Sequence, residues 1–114
     1  MMDEIRARAR EIAATTRTTI AFSQEMSAAP AVATPEVQSA IERAAATLEL
    51  GASRLPSGAG HDAQMMAQLG PMGMIFVPSI GGVSHSPKEL TRWEDCARGA
   101  DVLLRTVLEM DRVA

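Results

Sequence analysis

Met74-Ile75-Phe76-Val77, closed by Pro78, is the stretch that decides the fold. Four consecutive apolar residues ended by an imino acid read as a strand covered on both faces, as in a parallel sheet between helices. Helical patterns flank it. Downstream, a loop over Ser79–Leu90 leads to a stripe of Trp93, Cys96, Ala97, Ala100, Leu103, Leu104 and Val107 at i, i+3, i+4, i+7 spacing, opened by a Thr91/Glu94 capping box. Upstream, His61–Leu69 reads as a short helix carrying Met65, Met66 and Leu69, after a Pro56–Gly60 loop and a short strand at Ala52–Leu55. Before these, Thr34 as N-cap and Pro35 in the first helical position open a helix whose apolar face is Val37, Ile41, Ala44, Ala45 and Leu48, with Gly51 as its stop. Helices alternating with strands predict an α/β layered fold in the order helix, strand, helix, strand, helix.

The N-terminal part reads separately. Asp3–Thr15 places Ile5, Ala9 and Ile12 on one helical face among Arg6, Arg8 and Arg10, and Thr18–Gln24 alternates in the period-2 manner of a half-buried strand. An Ala- and Pro-rich patch follows. The resulting division is 1–26 as a helix-strand unit, 27–34 as a linker and 35–114 as the main α/β unit.

With 114 residues the chain has the size of one domain, expected to bury roughly two thirds of its unfolded surface. Eleven Lys and Arg against fourteen Asp and Glu give a formal charge of −3, which argues against a nucleic-acid binder. The longest apolar run, Met72–Pro78, is far shorter than a membrane span, and no secretory signal is visible. The single cysteine, Cys96, forms no internal disulfide and suits a reducing cytoplasm. Eight Met, two Phe, one Trp and no Tyr predict a core of aliphatic and thioether side chains.

Both histidines fall in glycine-rich loops beside apolar segments, where α/β proteins meet ligands. Gly58-Ala59-Gly60-His61-Asp62 leads into a helix, and on spacing alone it is an ordinary strand-to-helix turn with Asp62 favouring the helix dipole. Gly81-Gly82-Val83-Ser84-His85 supplies flexible backbone and an imidazole, compatible with a metal ligand, a general base or a surface histidine. No second Cys or His stands at ligand spacing. Glu94 and Asp95 are first-turn carboxylates, Cys96 lies on the apolar stripe, and Ser57 lacks the G-x-S-x-G elbow of a serine hydrolase.

Two motifs in order, Leu55-Pro-Ser-Gly-Ala-Gly-His-Asp-Ala-Gln-Met-Met-Ala67 and Ile75-Phe-Val-Pro-Ser-Ile-Gly-Gly-Val-Ser-His-Ser-Pro87, resemble the C-terminal part of the N-carbamoyl-L-amino-acid hydrolase, allantoate amidohydrolase and ureidopropionase family, within the dinuclear-metal aminoacylase and carboxypeptidase superfamily. The tail Thr91–Leu104 resembles that family's closing helix, and Asp3–Gln24 the last helix and strand of its inserted lid (dimerisation) domain. The resemblance implies that His85 ligates one of two divalent metals, zinc, manganese, cobalt or nickel. It implies that Gly81 and Gly82 face the substrate carboxylate, that His61 is substrate-side, and that Gly58, Gly60, Asp62 and Ser84 line the same cleft. The implied chemistry is metal-assisted hydrolysis of a carbamoyl or ureido C–N bond.

Family members are much longer. Their remaining metal ligands, catalytic glutamate and lid residues have no counterpart here, so no catalytic residue is assigned. The expectation is a C-terminal portion that works only with an N-terminal half or as a homo-oligomer. The competing expectation is a non-catalytic oligomerising α/β module. A nucleotide-binding reading of Gly58–Gly60 lacks both the P-loop lysine and the dinucleotide spacing.

Overall fold

The computed structural model describes residues 2–23 and 29–111. Four α-helices appear in order: α1 (Met2–Thr16), α2 (Pro35–Thr47), α3 (Asp62–Met66) and α4 (Trp93–Asp111). Between α3 and α4 lies one 3₁₀ turn, Ile80–Gly82. α2 and α4 are the only helices that pack on one another among the described residues. Val37, Ala40, Ala44 and Ala45 of α2 and Val102 of α4 are buried, with Ile41, Leu48, Leu50 and Ile75 closing around them. The contact face is mostly alanine, which brings the helix axes close and limits how much apolar area each residue can hide. Arg43 locks the far end by donating from Nε to Glu109 Oε1 at 2.6 Å.

Pro35 opens α2 as expected, but Thr34 does not cap it with its side chain. Its backbone N–H donates to the Met72 carbonyl at 2.7 Å, and its Oγ1 accepts the Met72 N–H at 2.9 Å. α2 ends before Gly51. Glu49 takes the left-handed conformation (φ 57°), its N–H donates to the Ala46 carbonyl, and that of Leu50 to Ala45, both at 3.0 Å. This is a Schellman closure with a non-glycine residue in the position where glycine is favoured.

Among the described residues the expected strands are absent. Thr18–Ser23, Ala52–Leu55 and Met74–Val77 carry no strand pairing, and Gln24 lies outside the described residues. A strand exists only through a neighbour that completes its ladder. Here Met74–Val77 instead lies across the helix pair. A methyl group added to Gly73 would stand 2.5 Å from Val37 Cγ1, and one added to Gly99 would stand 2.5 Å from Val77 Cγ1. α3 is also shorter than His61–Leu69, and the Thr91/Glu94 box does not form. Arg92 precedes α4, and its carbonyl accepts the N–H groups of Asp95 and Cys96.

The α4 stripe is the largest correction. α4 turns Gly99, Val102 and Thr106 inward, while Trp93 is 86% exposed and Leu104 57%. Leu103, Val107 and Leu108 are exposed with them. α1 buries no residue, and its Ile5 and Ile12 are open to solvent. The accessible surface is 9554 Å², against roughly 6,000 Å² for a compact monomer of this mass, so about 45% of the unfolded surface is hidden rather than two thirds. The radius of gyration, 20.3 Å, likewise exceeds the roughly 13 Å of a compact domain this long. No helix of the described residues is long and apolar enough to cross a membrane.

Candidate functional site

The two histidine motifs occupy different places. A groove of about 760 Å³ runs between α2, α4, the 50–57 segment and the 72–78 segment. Its apolar wall includes Ile41, Leu50, Met74 and Phe76, and its polar rim includes Arg54, Ser57, His61 and Arg98. The Ser57 hydroxyl and His61 Nε2 are 2.7 Å apart, and the Ala59 N–H donates to Ser57 Oγ at 3.3 Å. The His61 ring stands edge-on to Phe76, with centroids 5.7 Å apart and planes at 71°. No carboxylate among the described residues bonds the other ring nitrogen, so the pair lacks the third member of a hydrolytic triad. Of the motif around His61, Ala59 lines this groove, while Gly58, Gly60 and Asp62 do not.

Arg54 fixes the groove's outer wall. Its Nε and Nη2 donate to Glu42 Oε1 and Oε2 at 2.6 and 2.8 Å, and its Nη1 to Gln38 Oε1 at 2.9 Å. The fork holds the Glu42 carboxyl below its usual range and raises the guanidinium. Across the groove, Arg98 donates to Asp95 at 3.2 Å, which gives Asp95 a pairing role beyond its place in the first turn. The Arg54 to Glu42 pairing spans twelve residues and two elements, and no local spacing announces it.

His85 sits on the 79–90 loop, outside the groove lining. The loop closes on itself: the Ile80 N–H donates to the Leu90 carbonyl at 2.8 Å, and the Ser79 hydroxyl to the Val83 carbonyl at 2.5 Å. Gly81 and Gly82 both have φ 68°, a region glycine enters without a Cβ clash. The Gly82 N–H already donates to the Ser79 carbonyl at 3.0 Å, which leaves the Gly81 amide as the one of the pair available to an anion. His85 itself is left-handed at φ 54°. Its N–H donates to Glu89 Oε2 at 2.8 Å, and its Nδ1 lies 2.8 Å from Ser84 Oγ. Nε2 is therefore the unengaged ring nitrogen. The sequence reading named His85 and Ser84 but passed over Glu89, whose spacing of four residues from His85 was the available signal.

An imidazole with one nitrogen engaged and the other open fits one position of a metal site. It does not make a whole site, since no group of three or more His, Cys, Asp or Glu side chains among the described residues is placed to hold a metal. Cys96 is half-buried and free, with no partner thiol in the sequence.

The chain is similar to known proteins over most of its length. The chain is 49% identical over 87 residues to an N-carbamoyl-L-amino acid amidohydrolase of Geobacillus stearothermophilus, covering 76% of this chain and 21% of that protein. It is 33% identical over 112 residues to an N-carbamoyl-L-amino-acid amidohydrolase of Paenarthrobacter aurescens, covering 98% and 27%. A crystal structure from Burkholderia cenocepacia described as an amidohydrolase/peptidase superposes with a TM-score of 0.69 at 38% identity, over 94% of this chain and 26% of that one. The chain thus spans about a quarter of the length of these relatives. Residues 5–109 match the model of peptidase family M20/M25/M40, and the chain belongs to that family.

Proposed function

We propose that this chain is the C-terminal part of a metal-dependent amidohydrolase that cleaves a carbamoyl or ureido C–N bond, and that it is inactive without the rest of the catalytic domain. The observation that carries the reading is the match to N-carbamoyl-L-amino-acid amidohydrolases, with His85, one imidazole whose Nε2 is open, as the residue fitted to a metal. A divalent metal, when bound, would polarise the carbonyl under attack and activate water. This chain's own contribution is to present His85, to offer the Gly81 amide to a substrate carboxylate, and to hold His61 against Phe76 on the substrate side. The lid origin of residues 1–26 belongs to the same proposal. The exposed face of α4 supports it, because a helix with Leu103, Leu104 and Val107 in water is one whose covering partner lies elsewhere.

The test is hydrolysis of an N-carbamoyl-L-amino acid with Mn²⁺ or Zn²⁺. The chain is assayed alone and after co-expression with a family relative truncated before its matching C-terminal part. Activity only in the combination, lost with His85→Ala in this chain, is the expected result. A stable complex with no activity, or activity indifferent to His85→Ala, would overturn it.

A second reading, a non-catalytic oligomerising module, draws on the exposed Ile5 and Ile12 of α1. It predicts self-association that responds neither to metal nor to His85→Ala.

A further inference from the structure

We infer that Glu89 and Ser84 are positioning residues for His85, setting its backbone and its ring so that Nε2 is the nitrogen offered to a metal. The inference rests on reading His85 as a metal ligand. Three observations converge on one residue. The His85 backbone is left-handed at φ 54°, a conformation uncommon for a residue that carries a side chain. Glu89 Oε2 accepts the His85 N–H at 2.8 Å, four residues along a loop whose Ser86 carbonyl accepts the Glu89 N–H at 2.9 Å. The second bond fixes the Glu89 backbone, so the carboxylate is aimed by the same turn that it stabilises. Ser84 Oγ, 2.8 Å from Nδ1, engages the near side of the ring.

The role of the pair differs from that of a ligand. The Glu89 oxygen that binds the amide is committed to the backbone, and a carboxylate accepting an N–H is shorter and stronger than a neutral partner would be. Through that bond Glu89 decides where Cβ of His85 points. Ser84 engages Nδ1, and in the tautomer in which its hydroxyl accepts from Nδ1–H the Nε2 lone pair is free to bind a cation. Groups that orient a ligating histidine in this way typically change metal affinity by about 10–100-fold when removed.

The experiment is NMR on the full 114-residue chain and on Glu89→Ala, Glu89→Gln, Ser84→Ala and His85→Ala, first without metal and then with Mn²⁺. Without metal, Glu89→Ala is expected to speed solvent exchange of the His85 amide and move its Cα shift out of the left-handed range. Glu89→Gln, whose amide oxygen still accepts, is expected to restore both. Ser84→Ala is expected to change the His85 ring ¹⁵N shifts that report the tautomer, which a loop tether alone would not move. With Mn²⁺, broadening of the backbone amide signals of the loop around position 85 is expected to need about tenfold more metal in Glu89→Ala and to vanish in His85→Ala. Unchanged amide exchange, Cα shift and ring shifts in Glu89→Ala and Ser84→Ala would overturn the inference. Failure of Mn²⁺ to broaden His85 in the wild-type chain, with the metal-free effects intact, would uphold the positioning and count against the metal reading of His85 instead.

Discussion

Thr34 and Met72 exchange two hydrogen bonds, the Thr34 N–H to the Met72 carbonyl at 2.7 Å and the Met72 N–H to Thr34 Oγ1 at 2.9 Å. The residue expected to cap α2 spends its hydroxyl on the segment that carries Gly73 and Met74, and so ties the groove wall to the start of the helix. Thr34→Val keeps the shape and removes the acceptor, leaving the part-buried Met72 N–H without a partner. The expected cost is about 1–2 kcal/mol in denaturant unfolding, with Thr34→Ser close to wild type.

Glu49 closes α2 in a left-handed conformation at φ 57°. A Cβ in that region crowds the following carbonyl, and glycine avoids the clash. Glu49→Gly is expected to stabilise the chain by about 0.5–1 kcal/mol despite the greater freedom glycine brings to the unfolded state. Thermal unfolding followed by helical circular dichroism measures it, and a lower midpoint would show that the closure depends on the Glu49 side chain.

Gly73 makes the opposite point, since it is needed for room. A Cβ added there would stand 2.5 Å from Val37 Cγ1 and 3.2 Å from Ile41 Cδ1, and Val37 is buried against the helix pair. Gly73→Ala is expected to cost about 1–3 kcal/mol by overpacking. Val37→Ala in the same chain is expected to recover part of it, a non-additivity read from the double-mutant cycle.

The helices were legible because their signals are local: Pro35 at the first helical position, and apolar residues at helical spacing in α2 and α4. What α4 packs against was not. Its most apolar stripe faces solvent, while the small residue Gly99 and the hydroxyl of Thr106, which donates to the Val102 carbonyl at 2.7 Å, sit on the face toward the rest of the chain. Periodicity reports that a face calls for cover, not which polypeptide provides it. Met74–Val77 failed as a strand for a related reason, because apolarity marks burial while a ladder needs a second backbone. At the site, His85 and His61 were visible as residue types in glycine-rich loops. The Glu89 to His85 bond and the Ser57 to His61 pair depend on turn geometry that composition does not encode.

The Arg54 fork gives the groove a pH response. Arg54 holds the Glu42 carboxyl below its ordinary value of 4.5, so the folded chain binds that proton less readily than the unfolded one. Stability from the pair is therefore fully present above the ordinary value and is lost as pH falls through the lowered one. Both side chains are about half exposed, and the effect is correspondingly modest. Acid titration followed at the Arg54 and Leu55 amide signals should show the 50–57 segment loosening in that window. Arg54→Gln should remove the response and return the Glu42 carboxyl to its ordinary range.

The bare face of α4 separates folding from assembly. Leu104 is 57% exposed on the outer side, while Val102, two residues away, is 5% exposed against α2. Leu104 is more than half exposed and lies outside the buried α2–α4 core, so Leu104→Lys should keep the unfolding free energy within about 0.5 kcal/mol of wild type. Val102→Ala opens the α2–α4 contact and should cost roughly 1–3 kcal/mol. Assembly should show the reverse order. Leu104→Lys places a charge in the centre of an apolar patch and should prevent co-purification with the truncated relative, whereas Val102→Ala, once folded, should still pair. Sedimentation velocity on each variant, alone and in the co-expressed mixture, reads both effects. If Leu104→Lys still pairs and Val102→Ala does not, then the groove between the helices, and not the outer face of α4, is what the rest of the domain covers.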